Sequence, residues 1–334
     1  MAHEITTTDH LVLNARPAWH GLGTVVDRAP SPQEALRLAR LDWEVELHEL
    51  QYQTQISRQT VQHRAVVRHN GDGSTATLGV VGPEYTPVAN SVLAELAEQF
   101  NRDGVVKVES AGSLNGGARV WFLLKGETIE VRPGDETHPY ILLSNAHDGS
   151  AALSASGTTV RVVCSNTLAM ALGSSRKIAF RHTSGIASRV EEIARVSREF
   201  VAGRDLRQQQ MQALVNKQLT RGEVEDFFMS VYIRTLGLQL PTAAEAAAKG
   251  GRVQAARTKA EERIGRWAQI ATLEWDVRGS GRTAWAALTA ITEEMGEREE
   301  RVANPHTPLP KAAELFGGAA ERREAVLQAA LALV

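Results

Sequence analysis

Between Trp43 and Ile56 the chain reads WEVELHELQYQTQI, with apolar and polar residues alternating through much of the run. That period of two predicts a half-buried strand. Two further strand-like runs, QHRAVVRH and TATLGVVG, flank NGDGS at Asn70–Ser74, a turn sequence that predicts a β-hairpin. Ahead of them, SPQEALRLAR (Ser31–Arg40) reads as a helix. Ser31 is placed to cap it, Pro32 suits the first helical position, and Glu34 follows three residues after the cap. NSVLAELAEQF, Asn90–Phe100, repeats its apolar residues at helical intervals. Strand patterns resume in VVKVESAGSL, then in RVWFLLKGETIEV beyond a Gly116–Gly117 turn, and again in HPYILLSNA, AALSAS and TTVRVVCS. Turns are short and no βαβ rhythm is present, so the sheet is expected to be mainly antiparallel.

Near Ala187 the period changes. SRVEEIARVSREFVAGRDLRQQQMQALVNKQL predicts a long helix, with Val190, Ile193, Val196 and Phe200 about one turn apart. Helical patterns continue to the last residue. The first thirty residues, punctuated by Pro17, Gly21, Gly23 and Pro30, read as loop. The expected fold class is α+β: a mainly antiparallel sheet in the N-terminal half and an all-helical C-terminal portion. Three stretches follow from this: an N-terminal arm and short helix (1–42), a strand-rich α+β core (43–186) and a helical region (187–334).

Composition narrows the functional classes. The 334 residues carry 37 Lys+Arg against 39 Asp+Glu, a net charge of −2 that argues against a uniformly basic coat for nucleic acid. The excess of Arg over Lys reads as the mark of a GC-rich genome. No apolar run approaches the roughly 18–20 residues of a membrane span, and MAHEITTTDH has neither the basic nor the apolar region of a signal peptide. A soluble, cytoplasmic protein with no membrane partner is expected. A single cysteine, Cys164, excludes an intramolecular disulfide and a multi-cysteine zinc cluster. The chain has no GxxxxGK[ST], HExxH or GxSxG motif, and neither a metal nor a cofactor is expected.

Two regions carry candidate chemistry. In SNAHDGSAA (Ser144–Ala152), His147 and Asp148 adjoin a turn glycine, and Cys164 lies one hairpin downstream. A Cys–His–Asp set can pair a nucleophile with its base. The structural reading of the same residues is a turn, with Asn145 and Asp148 accepting backbone bonds and Gly149 at positive φ. The second region is basic: Thr159–Arg207 holds nine cations against four acids. Arg161, Arg176, Lys177, Arg181 and Arg189 are candidate phosphate contacts, with Phe180 as a base-stacking platform. The acidic run Glu293, Glu294, Glu297, Glu299 and Glu300 reads as a solvated helix end. GSGR at Gly279–Arg282 reads as the start of a helix, with capping favoured over anion binding.

Four stretches, AWHGLGTVV, LGVVGPEYTPVAN, SNAHDGSAALSASGTTVRVVCSNTLAMAL and RTAWAALTAITE, occur in this order and together span most of the chain. In them the chain resembles the phage- and plasmid-borne domain-of-unknown-function 932 family. The resemblance implies a phage, prophage or plasmid origin (host cytoplasm, if phage-encoded) and transfers no catalytic residues. The order of three strands, a helix and further hairpins is also similar to the core of Rad-type single-strand annealing proteins, whose rings hold one strand in a basic groove. That likeness implies a homo-oligomer that binds single-stranded DNA and anneals it in recombination. Two other functions stay open: an enzyme or anti-defence protein acting on a nucleotide through His147, Asp148 and Cys164, and a structural assembly protein.

Overall fold

Local sequence signals become elements where expected. In the computed structural model, which describes residues 10–14, 24–101, 106–161, 166–169, 178–184, 190–193, 195, 203–302 and 318–334, helix α1 spans Pro32–Leu38. Ser31 accepts the Glu34 amide and Glu34 returns a bond to the Ser31 amide, the capping box read from SPQE. Strands β3 (Glu44–Gln53), β4 (Arg58–His69) and β5 (Thr75–Val81) form a three-stranded antiparallel sheet. Asn70, Asp72 and Ser74 close its NGDGS turn through side-chain bonds. Helix α2 covers Asn90–Asn101.

Among the described residues the larger sheet has nine strands. Two of them, β1 (Leu11–Asn14) and β2 (Thr24–Val26), lie in the stretch expected to be loop. Both are short, and β1 holds its place by pairing antiparallel with β6 (Lys107–Leu114) and burying Val12. A segment of four residues carries too little periodicity to register as a strand in sequence. The run RVWFLLKGETIEV divides into β7 (Arg119–Lys125) and β8 (Ile129–Arg132), both laid along β9 (Asp135–Ala146). β10 (Leu153–Arg161) pairs with β9, β11 (Asn166–Ala169) and β12 (Ile178–Phe180). Among the described residues every strand pairing is antiparallel except that of β1 with β2.

Two apolar cores follow. In the first, Ala35, Leu36 and Ala39 beside α1 and Leu93, Leu96, Ala97 and Phe100 of α2 cover Val120, Phe122, Ile141 and Leu143 of the sheet. Val12 of β1 and the buried face of α1 thus pack into the same core as the sheet. The second core is helical, built from α3 (Arg204–Asn216), α4 (Arg221–Ser230), α6 (Gly251–Asp276), α7 (Ala284–Val302) and α8 (Gly318–Leu331), with the short α5 (Ala243–Lys249) leading into α6. Its centre is Trp267, Trp285 and Phe228, and it takes in Ile129 and Val131 of β8. Gly250 and Gly251, at φ 54 and 44, break α5 from α6 where the sequence pattern runs on. The helix read through Leu219 ends at Asn216, because Leu219 bonds the Arg282 carbonyl instead.

Charged groups tie the helices together and correct one expectation. Glu294 is buried and Glu293 only partly exposed: Glu293 takes a bidentate contact from Arg278, and Glu294 accepts from Arg263 at 3.0 Å and from Trp267 Nε1 at 3.1 Å. Counting charges along the chain does not show that Arg263 of α6 and Arg278, just beyond its end, pack against α7. At the GSGR loop, Arg132 donates to the Arg278 and Gly279 carbonyls, while Thr283 Oγ1 accepts the Ala286 amide. The group that caps the following helix is Thr283, the residue after GSGR, while Ser280 within the segment donates to Glu274 at 2.8 Å.

Candidate functional site

His147 follows the last residue of β9 and is fully buried. Asn90, at the start of α2, gives its side-chain amide to the Leu41 carbonyl, so its Oδ1 is left to accept. His147 Nε2 lies 2.8 Å from that oxygen and must donate, which fixes the tautomer and leaves Nδ1 as a bare acceptor. The edge of the ring packs on Trp43, with centroids 5.2 Å apart. A second histidine sits close by. His182 Nδ1 donates to the Thr86 carbonyl, and its ring stacks on Tyr85 at 4.7 Å and 7°. The Tyr85 hydroxyl in turn donates to the Ala146 carbonyl.

Burial dominates the electrostatics of this cluster. Loss of solvent, reinforced by the neighbouring His182 and opposed by Asp148, pushes His147 down to about 3. Burial also lowers His182, against the pull of its bond to Thr86, and raises the Tyr85 hydroxyl. Both histidines are therefore neutral at physiological pH. Their free nitrogens, together with Asn145 Oδ1 and Trp43 Nε1, are buried without a hydrogen-bond partner.

The sequence reading of SNAHDGS as a turn holds for two of its residues. Gly149 adopts φ 76, and Asp148 Oδ1 accepts the Ser150 amide at 2.9 Å. Asn145 departs from it: its Nδ2 donates to the Val88 carbonyl, and its oxygen accepts nothing. His147 and Asp148, adjacent in sequence, do not form a dyad. Neither ring nitrogen of His147 bonds Asp148, because the two side chains leave the end of β9 in different directions. Cys164 lies outside the described residues.

Of the candidate phosphate contacts, Arg181 is exposed just beyond β12. Phe180 stands opposite Leu153 and is half-buried against the first core, so its ring is engaged in packing. Arg161 closes the pairing of β10 with Thr137 and Asn166. Its side chain, and all of Arg176, Lys177 and Arg189, lie outside the described residues.

A family model described as Domain of unknown function (DUF932) matches residues 77–324, most of the chain. The chain belongs to the DUF932 family. No curated protein and no solved structure matches it. The span matched by DUF932 includes Tyr85, Asn90, Asn145, His147 and His182, so the buried cluster is built almost wholly from the family's own segment, with Trp43 added from outside it. Among the described residues no helix is long and apolar enough to cross a membrane.

One feature outside the DUF932 span has no counterpart among the sequence candidates. β5 pairs with Arg64–His69, so among the described residues the β3–β4 hairpin continues beyond Arg64 as two strands. It projects as an arm from Leu50 to Val61 and is largely exposed to solvent. The Thr54–Ser57 turn at its tip is closed by the Thr54 amide to the Ser57 carbonyl at 2.8 Å and by the Thr54 hydroxyl. Tyr52 is 54% exposed and Ile56 is 95% exposed. The arm has no acidic residue, and carries Arg58 with Gln51, Gln53, Gln55 and Gln59. At its base Arg64 donates to the Pro83 and Tyr85 carbonyls; Tyr85 stacks on His182, the residue after Arg181. The period-two pattern announced the strands but not their projection, which depends on where β5 stops.

Proposed function

We propose that the protein binds single-stranded nucleic acid, using the β3–β4 arm together with the basic strip that includes Arg181. The observation that carries this reading is the arm's two-stranded, solvated form. A hairpin without a third strand or a covered face is marginal in water, so an extended one that holds no acid and displays a tyrosine is suited to a polyanionic partner. Tyr52 supplies a flat face for a base, Arg58 a phosphate contact, and the glutamines amide groups for base edges and sugar. The near-neutral net charge makes assembly useful, because aligned copies add their basic strips into one track. Annealing of complementary strands is the activity such a track would support.

The test is fluorescence anisotropy of a labelled oligonucleotide across a salt series, with molecular mass followed by size exclusion and light scattering. Wild-type protein is expected to bind with a salt-dependent affinity, and Tyr52→Ala/Arg58→Glu to lose at least tenfold. No binding at low salt, or wild-type binding by the double variant, rejects the reading.

A second reading rests on Ile56. A fully exposed isoleucine at a well-formed tip favours an arm that docks on another copy of the chain. An Ile56→Ser variant that lowers the assembly mass, in a protein with no affinity for oligonucleotide, is the outcome expected of a structural assembly protein.

A further inference from the structure

Glu46 and His48 stand two residues apart on β3, so their side chains share one face of the three-stranded sheet. His69, the last residue of β4, is paired with Glu44 and reaches the same carboxylate across the strands. His48 Nε2 lies 3.5 Å from Glu46 Oε2, and His69 Nε2 lies 3.4 Å from the same oxygen. The two imidazoles are stacked, 5.7 Å between centroids at 27°. One ligand atom from each of the three residues falls within 4.8 Å of the others.

Those distances are not typical of a satisfied ion pair. His69 Nε2 is shielded from solvent and makes no hydrogen bond, although the carboxylate is its neighbour. They do match the edges of a metal polyhedron. With metal–ligand distances of about 2.0–2.1 Å, adjacent donor atoms in a tetrahedral site lie about 3.3–3.4 Å apart. One of the three edges here is at that length, at 3.4 Å, and a second is close to it at 3.5 Å.

We propose that Glu46, His48 and His69 bind a divalent transition-metal ion of the zinc class. Two imidazoles and one carboxylate form a donor set suited to zinc and leave a fourth position open. All three side chains are partly exposed, although His69 Nε2 itself is shielded, and the open position can take water or a group from a partner. The ion joins β3 to the last residue of β4 within the three-stranded part of the sheet, at the end away from the projecting arm, and fixes the register of the two strands there. All three ligands precede residue 77, where the match to the DUF932 model begins, so the site is a feature of this chain's own N-terminal segment. The proposal is independent of nucleic-acid binding.

The test is zinc titration of the full chain by calorimetry and by competition with a chromophoric chelator, with cobalt substitution as the spectroscopic readout. One zinc ion per chain is expected, with a visible d–d spectrum in the cobalt form. His48→Ala and His69→Ala should each weaken binding at least tenfold. Glu46→Gln should weaken it while keeping the side chain's shape, and His63→Ala, an exposed histidine outside the cluster, should leave it unchanged. Circular dichroism of each variant verifies that the sheet is intact. Absence of zinc binding overturns the proposal, and so does one equivalent bound with wild-type affinity by the His48→Ala/His69→Ala double variant.

Discussion

His147 donates through Nε2 to Asn90 Oδ1 over 2.8 Å, and by that bond the end of β9 is fastened to the start of α2. Because Asn90 also holds the Leu41 carbonyl, one buried amide joins three segments that are far apart in sequence. The relationship explains why the histidine has no bond to the aspartate beside it.

Asn90→Ala leaves the Leu41 carbonyl and the His147 N–H without partners in a dry site. A loss of about 2–4 kcal/mol is expected, since a buried polar group left unpaired loses its full desolvation free energy. Urea unfolding followed by circular dichroism gives the value; a change below about 0.5 kcal/mol would show that the bond contributes little.

Acid should unfold the protein through its buried histidines. An unfolded histidine takes up its proton near 6.5, whereas His147 in the folded chain resists until about 3. Over that interval the unfolded state binds more protons, so stability falls as pH falls, by up to about 1.4 kcal/mol per pH unit for each such group. His182, lowered by burial, adds in the same direction. Unfolding free energies measured from pH 7.5 to 4 should therefore decline, and His147→Gln, which cannot titrate, should flatten the slope.

Gly79 has no room for a methyl group. A Cβ built there lies 2.6 Å from the Asp148 Cα, a backbone atom that cannot turn aside. Gly79→Ala is expected to destabilise the contact between β5 and the SNAHDGS turn by about 1–3 kcal/mol. A thermal melt at wild-type midpoint would contradict the packing described.

The sheet and the helical core meet at Asp135, which accepts from Arg132 Nε at 3.1 Å and from Trp285 Nε1 at 3.2 Å. Asp135→Ala takes the acceptor from the buried Trp285 indole N–H and the carboxylate from Arg132, whose guanidinium keeps its bonds to the Arg278 and Gly279 carbonyls, and should cost about 1–3 kcal/mol. Trp285→Phe keeps most of the packing and should cost less. The double variant should fall short of the sum, because the two residues share one bond.

Charge reversal distinguishes the two candidate nucleic-acid surfaces. Arg176→Glu/Lys177→Glu should lower single-strand affinity and reduce the salt slope by about one to two if those side chains meet phosphate. An unchanged slope, combined with a strong effect of Tyr52→Ala/Arg58→Glu, would place contact on the arm alone.

Much of the fold was legible in the sequence because its signals are local. Ser31 and Glu34 are three residues apart, and the capping box they spell is the one that forms. NGDGS gives its hairpin, and the change of period after Ala187 marks the helical portion. The candidate sites were less legible. His147 drew notice through Asp148, its neighbour in sequence, while its partners proved to be Asn90 and Trp43, on other elements. Glu46 and His48 read only as the polar half of a strand until His69 arrived beside them across the sheet.

By itself, then, the sequence determined the α+β class, the antiparallel bias, and the caps and turns, all set by interactions within a few residues. Tertiary structure decided which polar groups are buried and what they meet. Glu294, read as solvent-facing, lies inside an Arg263–Trp267 pocket, and Trp285 finds Asp135 from 150 residues away. The physical reason is that the free energy of a charge or a histidine depends on its solvent and its partners. Both are fixed by packing between distant segments, which no local pattern encodes.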